Sequence, residues 1–174
     1  MAIQFLNPDE ILKDLNLHES MSAADFGCGS GGWVLPLAKI LNKGMVFAID
    51  ILKEPLSALE SRRRSQKIPN IKAIVSDVEE EKGSTLRPSS VDLVLITNLL
   101  FQVEDKEHIF QEAKRVLKEE GKVLVVDWKE NAPMGPAGKK VSPDEVKKTA
   151  QDSGFKFEKK LKAGDYHYCL VFEK

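Results

Sequence analysis

Residues 23–32 read Ala23-Ala24-Asp25-Phe26-Gly27-Cys28-Gly29-Ser30-Gly31-Gly32, and the reading of this stretch decides the fold. A β-type run, Ser22 to Phe26, ends in a glycine-rich turn that opens a helix. Glycine at such a turn permits positive φ and lets the backbone approach a ligand closely, while free N–H groups at the helix start favour an anionic ligand group. Gly27, Gly29 and Gly32 also fit the spacing G-x-G-x-x-G. That spacing does not separate a nicotinamide cofactor from other adenosine-containing ligands.

Outward from this turn, short β-type runs alternate with helical patterns, which predicts a parallel α/β sheet. The further runs are Met45 to Asp50, Ile71 to Ser76, Val91 to Thr97 and Lys122 to Trp128, the last two nearly continuous in apolar residues, as strands buried on both faces are. Asn7-Pro8 reads as a helix cap followed by proline in the first turn, and Gly44 and Gly121 are each expected to end a helix in the left-handed conformation. From Asp105 to Glu119, Ile109, Phe110, Ala113, Val116 and Leu117 recur at helical spacing and form one apolar stripe. Ser142-Pro143-Asp144-Glu145 is a capping box, and Gly154 closes the helix it starts. Two runs then follow without a helix between them, Phe155 to Leu161 and Tyr166 to Glu173, which predicts a hairpin. The expected fold is therefore α/β, a Rossmann-like seven-stranded, mostly parallel sheet with a C-terminal antiparallel hairpin and helices on both faces.

Three carboxylates sit at the ends of the first three runs: Asp25, Asp50 and Asp77. Open α/β sheets place their ligands outside the C-terminal ends of their strands, and an acidic residue ending the second strand is positioned to accept from two ribose hydroxyls. Asp50 follows Gly32 by eighteen residues, close to the spacing that role requires.

With 174 residues, 42% of them hydrophobic and 30% charged, the chain is expected to form one domain over residues 1–174. Residues 1–20 are read as an N-terminal helical cover and residues 129–141 as a loop over the active edge. A net charge of −1 and a pI near 6.3 give no global reason for a polyanionic partner. The basic run Arg62-Arg63-Arg64 with Lys67 is read as a solvated helix face. Met1-Ala2-Ile3-Gln4-Phe5 lacks the charged and apolar regions of an export signal, and no window approaches the roughly 18 apolar residues of a membrane span. A cytoplasmic location without a membrane partner is expected. Cys28 and Cys169 support neither a disulfide framework nor a metal site, and both are expected to be free thiols.

The stretch Asp25-Phe26-Gly27-Cys28-Gly29-Ser30-Gly31 resembles the first motif of class I S-adenosylmethionine-dependent methyltransferases, and among them the ubiquinone/menaquinone-biosynthesis-like group, often called type 11. The resemblance runs from about Met21 to Lys174. It includes Ile49-Asp50, Ser76-Asp77-Val78, Val91-Asp92-Leu93-Val94 and Arg115-Val116-Leu117-Lys118, and leads through Gly121 into Val123 to Trp128. It implies S-adenosyl-L-methionine as cofactor, with Asp25 near the methionine ammonium and Gly27, Cys28 and Gly29 along the methionine and ribose. Asp50 and Ile51 would meet the ribose, Asp77 the adenine amino group, and Val78 would offer its backbone N–H to the ring. Glu119-Glu120-Gly121 departs from the Pro-Gly-Gly usual in the family, at a turn remote from the cofactor.

Methyl transfer is an in-line displacement, so the protein's contribution is mainly alignment. A general base is needed only for an acceptor that is protonated at working pH. His18, His108 and His167 are read as ordinary surface or packed histidines, and no general base is nominated. Asn98 at the end of the fourth run is expected to touch the cofactor, and Trp128 at the end of the fifth to touch the acceptor. Leu99-Leu100-Phe101 after Asn98 is not the Pro-Pro-aromatic sequence of nucleobase amino-methylating enzymes. A small-molecule acceptor is expected, in a pocket between the N-terminal helix, the Asn98 turn and the Trp128 to Val141 loop. A protein or RNA acceptor on a shallow face stays open at this point. Two alternatives are weighed: an NAD(P)-dependent oxidoreductase, and a cofactor-binding domain without turnover. Against the first, Tyr166 and Tyr168 have Leu170 and Phe172, not lysine, four residues on.

Overall fold

The computed structural model describes residues 3–174; Met1 and Ala2, part of the N-terminal stretch read above, lie outside the described residues. The element order is α1 (Pro8–Lys13), β1 (Ala23–Phe26), α2 (Val34–Ile40), β2 (Val46–Asp50), α3 (Lys53–Ser65), β3 (Ile71–Val75), β4 (Val91–Thr97), α4 (Lys106–Val116), β5 (Leu117–Trp128), α5 (Pro143–Asp152), β6 (Lys156–Leu161) and β7 (His167–Glu173). The strands form one seven-stranded sheet in the order β3-β2-β1-β4-β5-β7-β6. Strands β1 to β5 pair in parallel, and β7 pairs antiparallel with both β5 and β6. The chain steps outward from β1 to β3 and then returns to the other side of β1 at β4, so the topological switch point lies between β1 and β4.

Alternate residues of the central strands feed two cores. Ala23, Leu93, Leu95, Leu124, Val126, Cys169 and Val171 pack beneath α1, α2 and α3, while Ala24, Phe26, Val94, Ile96, Val123 and Leu170 pack beneath α4 and α5. On the second face Phe110 meets Phe155 and Phe172 edge-on, with ring centroids 6.0 and 6.2 Å apart. The helices start where the side chains predict. Asn7 accepts from Asp9 N, Asp105 from His108 N and Ser142 from Glu145 N, each satisfying a backbone donor that a helix's first turn leaves free. Gly154, at φ 86°, follows α5. Among the described residues no helix is long and apolar enough to cross a membrane.

Two glycine readings are corrected. Gly44 does not adopt positive φ; a Cβ there would fall 1.7 Å from the backbone oxygen of Met21, so the position requires close passage of two backbones. Nor does a helix run to Gly121. Helix α4 stops at Val116, Leu117 already pairs with Val91, and the ladder resumes at Lys122 opposite Leu93, so residues 118–121 bulge out within β5. The left-handed residue of the bulge is Glu120, at φ 62°.

Candidate cofactor and active site

A cavity of about 410 Å³ opens at the switch point, walled by Gly27 and Gly29 after β1, Asp50 at the end of β2 with Ile51 after it, and Asp77 and Val78 after β3. Its size falls within the range of small-ligand sites. Asp50 organises its floor: Oδ2 accepts from Gly29 N at 2.8 Å and Oδ1 from Leu52 N at 3.0 Å, joining the end of β2 to the glycine turn. Gly27 and Gly29, at φ 71° and 52°, shape that turn. Asp77 Oδ1 accepts from Glu79 N and so turns the chain after β3.

Asp25 lies beneath the glycine turn, fully buried, and neither carboxylate oxygen has a hydrogen-bond partner. Burial, and next the neighbouring Asp50 carboxylate, push its pKa well above the usual carboxylate range. An unpartnered buried carboxyl is costly, and a cationic group brought to it would relieve that cost. Cys28 is buried behind the turn, where its N–H donates to Ile49 O and its thiol to Gly29 O; burial raises the thiol's pKa. Asp25, Cys28 and Asn98 are not part of the cavity wall itself. Asn98 holds φ 51° directly after β4, with its side-chain oxygen buried and unpartnered.

A profile described as a methyltransferase domain matches residues 17–168. The chain belongs to this methyltransferase-domain family. S-adenosyl-L-methionine is its cofactor, and the site's chemistry fits that molecule: glycine turns for close approach, a carboxylate at the end of β2, and a buried unpaired carboxyl for a cation. A demethylmenaquinone methyltransferase of Geobacillus sp. (strain WCH70) is 26% identical over 120 residues, covering 68% of this chain and 50% of that protein. The chain spans half the length of that curated relative. An S-adenosylmethionine-dependent methyltransferase structure from Aquifex aeolicus superposes with a TM-score of 0.88 at 24% identity, covering 97% of this chain and 90% of the other. The [4+2]-cyclase SpnF shares the fold at a TM-score of 0.81 and 14% identity, covering 96% and 80%.

In this methyltransferase domain the cavity's far wall comes from residues that belong to no sequence motif. Leu99, Gln102 and Val103 come from the turn after β4, and Glu79 from the turn after β3. Glu79 Oε1 accepts from Glu104 N at 2.9 Å and ties the two turns together across the cavity rim. Asp127 fixes the other end of the β4 turn: its buried carboxylate accepts from Leu100 N and Trp128 N, and burial pushes its pKa up to about 6 against the pull of those donors. Asp127 was a visible fourth acidic residue near a strand end. Arg62, exposed within the basic run of α3, also donates from its guanidinium to Ser30 O at 2.9 Å, bracing the glycine turn.

Trp128 is half-buried at the end of β5, its ring 4.0 Å from that of His167, and Gly135 of the loop 129–141 rests against it. Helix α1 lies on the sheet face, burying Ile11 and Leu12, and the segment before it reaches the hairpin turn, where Gln4 N donates to Asp165 Oδ2 and Phe5 meets Tyr166. A second cavity, about 540 Å³, lies between this segment, α1 and Lys162 to Gly164, away from Asn98 and Trp128. His18 is exposed and His108 half-buried against Glu80 O.

Proposed function

We propose that this domain transfers the methyl group of S-adenosyl-L-methionine to a small-molecule acceptor. The observation that carries the reading is the pairing of two acidic residues beside one glycine turn: Asp25, buried without a partner, and Asp50, 2.8 Å from Gly29 N. In this reading Asp25 meets the methionine ammonium. Gly27, Cys28 and Gly29 shape the path of the methionine and ribose, and Asp50 and Ile51 take the ribose. Asp77 and Val78 hold the adenine, Asn98 faces the methionine end, and Trp128 meets the acceptor. The cofactor supplies an activated methyl group when bound; the protein's part is to align it and exclude water. Menaquinone-type relatives act on a small molecule by name, which supports the acceptor class.

Calorimetry tests the cofactor step. S-adenosylhomocysteine should bind and NAD and NADP should not; nicotinamide binding without an adenosylhomocysteine signal would overturn the assignment. The fold of a [4+2]-cyclase supports a second reading, a cofactor-binding domain whose chemistry is not methyl transfer. Labelled methyl donor presented with a broad acceptor panel separates the two.

A further inference from the structure

Among the described residues, the buried side-chain atoms left without a hydrogen-bond partner belong to three residues: Asp25, Asn98 and His167. Native proteins satisfy nearly all such groups, so each exception calls for a ligand, a water or a role. The three stand at one edge of the sheet. Asp25 is in β1, Asn98 directly follows β4, and His167 opens β7 opposite Trp128, the last residue of β5. With strands in the order β1-β4-β5-β7, His167 lies two strand spacings, about 10 Å, across the sheet from Asn98, and three spacings, about 14 Å, across from Asp25, which is also set back by four residues along the strands. The cofactor group that meets Asp25 does not reach it. His167 is 6% exposed, and its ring lies tilted at 41° to the Trp128 ring with centroids 4.0 Å apart.

We infer that His167 orients the acceptor: a ring nitrogen accepts a hydrogen bond from the hydroxyl or amine N–H of an aromatic acceptor held beside Trp128. The inference rests on the methyltransferase reading above and adds the acceptor's chemical class to it. Burial, with the Lys129 charge next, lowers the imidazole's pKa to about 4, which keeps a lone pair free at neutral pH. A neutral imidazole both accepts and donates, so its second nitrogen is available to a polar neighbour of the same ring. Two loop contacts lie near this corner: Gly135 rests against Trp128, and Gln4 N donates to Asp165 Oδ2 in the turn before β7.

The chain holds three histidines, so ¹⁵N spectra of the histidine-labelled full chain resolve them. The protein is first saturated with S-adenosylhomocysteine, followed by calorimetry; failure to bind overturns the methyltransferase reading and this inference with it. Phenol and toluene are then titrated into the complex. Phenol should shift the His167 ring nitrogens and leave those of His18 and His108 in place, and toluene should not shift His167. Equal shifts, or none with phenol, overturn the inference while the cofactor reading stands. His167→Phe keeps a flat ring against Trp128 and should weaken phenol about tenfold, whereas His167→Gln, which keeps a hydrogen-bonding group, should stay within about threefold. Equal losses in the two variants would show packing, not the hydrogen bond, to be what holds phenol, and would overturn it as well. Should His167→Phe fail to fold, the phenol–toluene contrast in the unmodified chain decides.

Discussion

Asp50 and Gly29 are joined by a hydrogen bond of 2.8 Å, carboxylate to backbone N–H, which ties the end of β2 to the turn after β1. The same carboxylate also accepts from Leu52 N. Asp50 therefore has a structural duty before any ribose arrives. Asp50→Ala is expected to cost about 1.5 to 3 kcal/mol of cofactor binding, roughly ten- to over a hundredfold in affinity. Calorimetry with S-adenosylhomocysteine checks it, with the melting temperature followed in parallel. An unchanged dissociation constant in a folded variant would remove Asp50 from the site.

Asp25 gives a pH signature with two opposite signs. Burial and Asp50 raise its pKa in the free protein, so across the interval between the ordinary carboxylate value and the raised one the folded chain holds more protons than the unfolded chain. Its contribution to stability is present in acid and lost as pH rises through that interval. A cofactor ammonium would favour the ionised carboxylate, so binding should release protons, and affinity should increase with pH over the same interval. Calorimetry in buffers of different ionisation enthalpy counts the protons. Asp25→Asn should abolish the release, and a proton count identical in variant and parent would show that Asp25 does not meet the ammonium.

Gly44 is predicted to be intolerant of any side chain. Its missing Cβ would lie 1.7 Å from the Met21 backbone oxygen, where no rotamer change gives relief. Gly44→Ala should destabilise the fold by about 3 kcal/mol or more, at or above the upper end for overpacking. Chemical denaturation measures it; a loss below about 1 kcal/mol would mean that the β1 approach yields easily.

Gly44 also shows where sequence reading stops. A glycine serves a left-handed turn and a close backbone approach equally well, and its letter does not say which. Leu117 poses a similar ambiguity: it continues the apolar stripe of α4, yet it is the first paired residue of β5. The strand pattern was legible because burial on both faces leaves nearly unbroken apolar runs, and it placed Asp25, Asp50 and Asp77 toward a common edge. The wall opposite them was not legible. Glu79 reaches Glu104 across 25 residues of sequence, and His167 meets Trp128 only because β7 runs antiparallel to β5. Such pairings are set by tertiary packing, with no local period to announce them.

The loop over Trp128 supplies the last prediction. Gly135 sits at φ 108°, and a Cβ there would come within 2.6 Å of the Trp128 ring, so the backbone itself lies against the indole. Lys140 Nζ holds the loop in this position by donating to Ala132 O at 2.9 Å. Gly135→Ala adds both an unfavourable φ and a clash, and the loop should move off the ring. The chain has two tryptophans, and Trp33 is 6% exposed in the core near α2, so a change in acrylamide quenching reports on Trp128. Quenching should rise in Gly135→Ala, while S-adenosylhomocysteine affinity stays within about threefold, because the cavity wall is built from the turns after β1 to β4 and does not include this loop. With an acceptor in hand, Trp128→Ala should impair methyl transfer far more than cofactor binding, since an acceptor gains reactivity mainly from alignment. A parallel fall of cofactor affinity in either variant, or unchanged quenching in Gly135→Ala, would detach this loop from the acceptor side of the site.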